Sequence, residues 1–220
     1  MDIKEMIKNR HSVRQYKDIP IEDELRMQLD ELARECNEES GLNIQVIYDD
    51  PECFDTLIAH YGKFENVRNY IALVGDKNME DLDELCGYYG QKLVIAAQGM
   101  GLNTCWVGGS YGKGKCKADK DKNEKIVCVI SLGYGQNEGV KHKSKPVSKL
   151  CNVNEGDMPK WFKNGMVAAM MAPTALNHQK FYVTLDGEDV IITAQKGPFT
   201  KVDLGIVKYN FEAVTGRKCK

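Results

Sequence analysis

Hydrophobic residues recur at helical spacing along much of the chain. Residues 79–100 form the longest such stretch, with Gly101 placed to end it in a left-handed conformation. Acidic residues in the first turn and an apolar face predict a second, amphipathic helix from Ile21 to before Asn37. The pattern and composition favour further helices over residues 2–10, 51–62, 159–171 and 201–214.

Stretches rich in β-branched and aromatic residues predict strands between these helices. The predicted strands are residues 44–48, 70–74, 104–107 and 125–132. Near the carboxyl end, Phe181–Leu185 and Asp189–Ala194 alternate in polarity around Asp186-Gly187, a dipeptide that favours a type I′ hairpin turn. The sequence therefore predicts an α+β fold, with an antiparallel or mixed sheet flanked by helices.

Composition narrows the class of protein. The chain has 220 residues, of which 42% are hydrophobic and 28% charged, as in globular proteins. A net charge of −2 argues against nucleic acid as a general partner, so an anionic partner would have to bind locally. The segment 113–149 is rich in lysine, and it can be either a solvated loop or an attractive surface for an anion.

Targeting and metal signals are missing from the sequence. The first residues lack the apolar core of a secretory signal, and no apolar stretch approaches the roughly 20 residues that span a bilayer. We therefore expect a cytoplasmic protein without a membrane partner. The 8 cysteines form no CxxC pair and the 4 histidines are dispersed, so we expect reduced thiols, several of them core filler, and no metal site.

The main candidate for chemistry is the trio Arg10, Ser12 and Arg14. In an extended segment alternate side chains point the same way, so two guanidinium groups and a hydroxyl converge. These donors suit the oxygens of a phosphate. The alternative is a loop whose arginines pair with acidic residues. No glycine-rich nucleotide motif (GxGxxG or GxxxxGK[ST]) and no GxSxG elbow is present.

The segment Arg10-His11-Ser12-Val13-Arg14, after a short helix, resembles the phosphate-binding opening of the FMN-dependent nitroreductase and flavin reductase family. Three further stretches resemble that family. They are the helix-to-strand passage Gly99–Gly109, the basic segment Lys143-Ser144-Lys145-Pro146, and Ala172–Gln179, which is similar to the family's small-Pro-Ser-x-x-Asn-x-Gln segment.

The resemblance implies bound FMN, with NADH or NADPH as co-substrate. It assigns the FMN phosphate to Arg10, His11, Ser12, Arg14, Lys143 and Lys145. It places the isoalloxazine ring beside Trp106, Val107, Gly108 and Gly109, with the N–H of Gly109 near flavin N5. It assigns the ring edge and ribityl chain to Pro173, Thr174, Ala175, Asn177 and Gln179. No catalytic side chain is implied, because the flavin carries the hydride.

The order of these segments departs from the common family pattern, because Ala172–Gln179 follows Lys145 instead of coming soon after the first helices. This order resembles a branch of nitroreductases in which a single chain folds as a pseudo-dimer. The resemblance implies one domain, 1–220, built from two interleaved halves at about 1–150 and 151–220. A monomer or a homodimer, and one or two flavins per chain, stay open.

Two functions from different classes follow. The first is an FMN-dependent oxidoreductase that takes a hydride from NAD(P)H and reduces a small molecule (a nitroaromatic, quinone or free flavin) by a ping-pong mechanism. Specialised flavin chemistry on the same fold is a variant of it. The second is a non-catalytic protein that binds FMN for storage or sensing, because a fold does not fix a function.

Overall fold

The computed structural model describes residues 2–220. Its helices are α1 (Ile3–Asn9), α2 (Asp23–Ser40), α3 (Leu57–Tyr61), α4 (Leu82–Gly99), α5 (Lys160–Met170) and α6 (Thr200–Thr215). Its strands are β1 (Gln45–Ile47), β2 (Asn69–Asp76), β3 (Asn103–Val107), β4 (Glu124–Gly133), β5 (Phe181–Asp186) and β6 (Asp189–Ala194). Short 3₁₀ turns cover Val147–Lys149, Glu155–Asp157 and Ala175–Asn177.

The predicted helices and strands are all present, and the largest difference in length is at α3. Helix α3 begins at Leu57, because the N–H of Phe54 bonds back to the carbonyl of Pro51 at 3.0 Å and closes a turn first. Thr56 then caps the helix by accepting the N–H of Ala59 at 3.3 Å. Helix α2 runs to Ser40, past the predicted end, and Gly41 ends it at φ 73°.

The fold class is confirmed as α+β with antiparallel sheets flanked by helices. Four strands form one sheet in the order β1-β2-β4-β3, and every neighbouring pair is antiparallel. The central strands β2 and β4 pair along their full length, with a shift of register between Leu73 and Val74. Strand β2 is buried from Asn69 to Gly75, which explains its nearly continuous apolar sequence.

Strands β5 and β6 form the predicted hairpin, but the predicted turn type is wrong. Asp186 pairs with Asp189, so the loop consists of Gly187 and Glu188. Gly187 has φ 61°, and Glu188 is not among the residues with positive φ. A type I′ turn needs positive φ at both loop residues, whereas glycine at the first position alone is typical of type II′.

The chain divides into two compact units, each made of segments that are not continuous in sequence. The sheet unit comprises Arg10–Leu82 and Leu93–Lys141 and contains the four-stranded sheet. The hairpin unit comprises the residues up to Asn9, Asp83–Lys92 and His142–Lys220. The halves 1–150 and 151–220, and the pseudo-dimer, stay predictions.

The core of the sheet unit is aromatic at its centre. Phe54 packs edge-on against Phe64 with ring centroids 5.1 Å apart, and it also contacts Tyr70. Tyr16 is fully buried, and its hydroxyl donates to the carbonyl of Val13 at 2.7 Å. This core fixes the segment after Arg10 against the sheet.

The core of the hairpin unit depends on close contact between helices. Phe211 of α6 lies directly on Gly165 of α5, where a Cβ would come within 2.4 Å of the ring. Phe162 adds an edge-on ring contact with Phe211 at 5.8 Å.

Within residues 2–220, no helix has the length and apolar character needed to cross a membrane.

Candidate functional site

The basic segment that starts at Arg10 lies extended along the sheet unit. Ser12 forms a parallel bridge with Thr104 of β3, and the N–H of Val13 donates to the carbonyl of Thr104 at 3.0 Å. Further along, Tyr16 pairs with Gly135 after β4. This pairing gives the segment the extended backbone that the alternation of Arg10, Ser12 and Arg14 requires.

Arg10 is a buried cation. Its residue is only 4% exposed, and its Nε has no hydrogen-bond partner. Burial lowers the pKa of its guanidinium to about 10, and the nearby Cys105 thiol acts in the opposite direction. Leaving a donor of a buried charged group without a partner is costly, and an anion that accepted a hydrogen bond from Nε would offset this cost.

Arg14 is exposed, and its guanidinium lies over the ring of Phe64 at 5.9 Å. Within the part of the chain that the structure describes, neither Arg10 nor Arg14 forms an ion pair with a carboxylate. The alternative interpretation of a loop held by acidic residues therefore lacks the contacts on which it depends.

Cys105 of β3 lies near enough to Arg10, Ser12 and Arg14 for all three to affect its thiol. Burial raises the pKa of its thiol, while Arg14, a hydrogen bond with Ser12, and Arg10 each lower that pKa. Arg10, Ser12 and Arg14 thus act on one buried atom. Cys105 is buried in the core, as expected for several of the cysteines, but its position beside the basic segment depends on the register with β3 and could not be predicted.

His11 contacts the segment that follows β4. Its Nδ1 donates to the carbonyl of Glu138 at 3.0 Å. The next residue, Gly139, has φ 71°, and a Cβ there would lie 2.9 Å from the Cβ of His11 and 2.9 Å from the carbonyl oxygen of Ser12. His11 therefore fixes the basic segment to the chain that follows β4.

Beyond Cys105, strand β3 leads into the pair Gly108-Gly109. Trp106 is part-buried and Val107 buried, while Gly109 is exposed. A Cβ at Gly109 would meet no atom within 4 Å, so the backbone faces open space there. Without side chains, the two glycines allow a planar ligand to approach the main chain closely.

In the hairpin unit, the predicted residues Lys143, Lys145, Asn177 and Gln179 are joined by hydrogen bonds. The side-chain amides of Asn177 and Gln179 both donate to the carbonyl of Lys143 at 2.9 Å. The Oε1 of Gln179 accepts the N–H of Lys145 at 2.8 Å. The Nζ of Lys145 donates to the carbonyl of His178 at 2.6 Å.

These bonds hold a strained loop, residues 173–179. Leu176, Asn177 and Gln179 have φ values of 52°, 53° and 45°, which residues other than glycine rarely adopt. Thr174 accepts the N–H of Gln179 through its Oγ1 at 3.0 Å. The buried amide of Gln179 is fully engaged by the protein, which is what a loop-capping role requires.

The candidate residues therefore form two groups, one in each unit. The sheet unit holds Arg10, His11, Ser12, Arg14, Trp106, Val107, Gly108 and Gly109. The hairpin unit holds Lys143, Lys145, Pro173, Thr174, Ala175, Asn177 and Gln179. Among residues 2–220, no group of three or more His, Cys, Asp or Glu side chains is placed to hold a metal ion.

The antiparallel sheets flanked by helices form a nitroreductase-like fold. A family model described as "Putative TM nitroreductase" matches residues 2–215. The chain therefore belongs to this nitroreductase family. A comparison with curated protein sequences finds no match.

Solved structures agree with this fold. A putative nitroreductase of Thermotoga maritima is 19% identical, with a TM-score of 0.72 over 97% of this chain and 83% of its own. A putative nitroreductase of Desulfovibrio desulfuricans, solved in complex with FMN, is 20% identical, with a TM-score of 0.53 over 67% of this chain and 93% of its own. A putative NADH dehydrogenase/NAD(P)H nitroreductase of Bacteroides thetaiotaomicron is 21% identical, with a TM-score of 0.53 over 67% of this chain and 95% of its own.

Proposed function

We propose that this protein is an FMN-dependent oxidoreductase that oxidises NADH or NADPH and reduces a small acceptor such as a nitroaromatic, a quinone or a free flavin. The observation that carries the proposal is the buried guanidinium of Arg10, whose Nε has no partner in the protein. Family membership and the FMN bound to the Desulfovibrio relative support the choice of cofactor.

The residues of the sheet unit fit the phosphate of FMN. A phosphate monoester carries up to two negative charges and accepts several hydrogen bonds. Arg10 offers an unpartnered donor, and Arg10, Ser12 and Arg14 all lie near enough to Cys105 to affect its thiol. An anion there would offset the cost of burying Arg10 and accept charge-assisted hydrogen bonds from both guanidinium groups.

The remaining candidate residues have roles in orienting a flavin. A Cβ at Gly109 would meet no atom within 4 Å, so the main chain is open to a planar ring there, and the N–H of Gly109 is our candidate donor to flavin N5. We also assign the loop 173–179 and Lys143 and Lys145 to FMN binding. Asn177 and Gln179 hold the lysine segment in a fixed conformation through the carbonyl of Lys143.

When bound, FMN supplies the chemistry of accepting a hydride and passing on electrons. The chain then needs no side chain that acts as acid or base, and its residues bind and orient the reactants. Because donor and acceptor would use the same cavity in turn, we expect ping-pong kinetics. The NAD(P)H assignment is supported by the description of the Bacteroides relative.

The first test is the visible absorption spectrum of the protein purified without added cofactor, followed by anaerobic addition of NADH and then NADPH. We expect flavin absorption bands that bleach with at least one nicotinamide. A colourless protein that cannot take up added FMN would contradict FMN binding. Flavin bands that neither nicotinamide bleaches would favour the alternative, a non-catalytic FMN-binding protein.

A further inference from the structure

Two cysteines that are far apart in the sequence meet within the sheet unit. Cys53 lies in the turn between β1 and α3, and Cys116 lies in the lysine-rich segment between β3 and β4. Their thiols are hydrogen-bonded to each other. The N–H of Gly112 donates to the carbonyl of Cys53 at 2.7 Å, and the N–H of Cys116 donates back to Gly112 at 3.1 Å. The backbone therefore holds the two thiols together.

A polar network surrounds the pair. The hydroxyl of Tyr70 contacts both thiols and donates to Oδ2 of Asp50 at 2.7 Å. It accepts the N–H of Lys117, the residue after Cys116, at 2.9 Å. The Nζ of Lys117 lies 3.0 Å from Oδ1 of Asp50. These contacts fix the position of the Cys116 side chain from both sides.

The two thiols are not equivalent. Cys53 is fully buried, whereas Cys116 is part-exposed between exposed lysines. The hydrogen bond from Cys53 lowers the pKa of Cys116, and the N–H of Ala118 acts in the same direction, whereas burial and the Asp50 carboxylate raise it. The same shared hydrogen bond and burial raise the pKa of Cys53. Cys116 is therefore the thiol that solvent can reach and that ionises more readily, and Cys53 is the buried partner behind it.

We propose that Cys116 and Cys53 form a peroxide-reactive pair that closes to a reversible disulfide. The Cys116 thiolate attacks one oxygen of hydrogen peroxide, the O–O bond breaks, and the products are a sulfenic acid on Cys116 and hydroxide. The sulfur of Cys53 then attacks the sulfur of Cys116, the S–O bond breaks, and water leaves with the proton of Cys53. The hydroxide takes up the proton that Cys116 released on ionising, so in total two thiols lose two electrons and one peroxide is reduced to two waters.

The other thiols do not share this arrangement. Cys219 is also part-exposed, but burial raises its pKa to about 12. The thiol of Cys105 is fully buried, and burial raises its pKa as well. Reaction with peroxide should therefore be selective for Cys116. This inference does not depend on FMN binding.

The test treats the reduced full-length protein with a small excess of hydrogen peroxide, blocks free thiols with N-ethylmaleimide, and maps the tryptic peptides. Trypsin releases Cys116-Lys117 as a dipeptide, and Cys53 lies in the peptide Glu35–Lys63 together with Cys36. We expect a disulfide that joins Cys116-Lys117 to the peptide Glu35–Lys63. Fragmentation should locate the bond at Cys53, and dithiothreitol should separate the two peptides. Peroxide-treated protein without this link would overturn the proposal.

Variants assign the two roles. Cys53→Ala should prevent the disulfide and leave a sulfenic acid on Cys116 that dimedone traps, formed more slowly because the hydrogen bond that lowers the pKa of Cys116 is lost. Cys116→Ser should abolish both products, whereas the control Cys219→Ser should cross-link like the parent chain. Iodoacetamide should modify Cys116 at least about tenfold faster than Cys219 at neutral pH. Equal rates of modification at Cys116 and Cys219 would contradict the proposal. Both rates are measured on the parent chain, so this result does not depend on whether the variants fold.

Discussion

The main-chain N–H of Ala175 donates to Oδ1 of Asp203 over 2.9 Å, so a buried carboxylate of α6 holds the strained loop 173–179. Burial raises the pKa of Asp203 to about 6, although the bond from Ala175 lowers it. The helix N-terminus and one hydrogen bond thus do not compensate fully for the loss of water around this group. The loop that we assign to FMN depends on a carboxylate whose charge is unfavourable in the folded protein.

Asp203→Asn should therefore stabilise the protein at pH 8. A raised pKa means that the folded state binds the proton more tightly than the unfolded chain does. The stability that the protein gains from the protonated Asp203 is fully present below about pH 4 and is lost as the pH rises through about 6. The amide cannot ionise and still accepts from Ala175, so we expect a gain of about 1–3 kcal/mol at pH 8 that vanishes near pH 4.

Urea denaturation of both chains at several pH values measures this difference. Asp203→Ala is the control, because it removes the acceptor for Ala175 as well as the charge. A destabilised Asp203→Asn variant at pH 8 would show that the ionised carboxylate is favourable in the folded protein.

Gln179→Met should destabilise the protein, because it removes the amide that the lysine segment depends on. The carbonyl of Lys143 loses one of its two amide donors, and the N–H of Lys145 loses its acceptor in a part-buried position. We expect a loss of about 1–3 kcal/mol in the free energy of unfolding. Gln28→Met on the exposed face of α2 is the matched control and should change little. A neutral Gln179→Met would contradict the loop-capping role.

Local sequence signals predicted most of the helices and strands, because each has a periodic pattern or a distinct composition. The start of α3 was not predictable in this way, because the turn after Pro51 and the cap from Thr56 override the composition of 51–62. The turn at Gly187 was misjudged because Asp186 belongs to the strand, which shifts the loop by one residue.

Contacts across long sequence distances were beyond the reach of such signals. Arg10, Ser12 and Arg14 were predicted to converge from alternation alone, but their common neighbour Cys105 depends on pairing with β3. The assignment of the Asn177 and Gln179 amides to a flavin stays a prediction. That both donate to the carbonyl of Lys143 follows only from how the hairpin unit folds.

Gly205→Ala should disrupt the packing of α6 on the Asp83–Lys92 part of α4. A Cβ at Gly205 would lie 1.9 Å from the carbonyl oxygen of Glu84, and the backbone cannot yield as a side chain would. We expect a loss of about 3 kcal/mol or more, or failure to fold. Gly156→Ala is the control, because a Cβ there meets no atom within 4 Å and should change stability by less than about 0.5 kcal/mol. Thermal unfolding of both variants checks the prediction.

Arg10→Met separates a ligand-binding role for Arg10 from a structural one. Methionine has a similar length and no charge, so it removes a buried cation that lacks a partner at Nε. In flavin-free protein we expect the variant to be as stable as the parent or more stable, by about 1–3 kcal/mol. Its affinity for FMN should fall by at least about tenfold, because charge-assisted hydrogen bonds to the phosphate are lost.

Titration of FMN fluorescence and thermal unfolding of the flavin-free protein measure the two effects separately. The control Arg34→Met removes an exposed arginine that pairs with Glu31 and Glu38 on α2, and it should leave FMN affinity unchanged. An Arg10→Met chain that binds FMN normally but unfolds more easily would make Arg10 a structural residue. A variant that is more stable without flavin and binds FMN more weakly is expected only where the protein buries a charge in order to bind an anion.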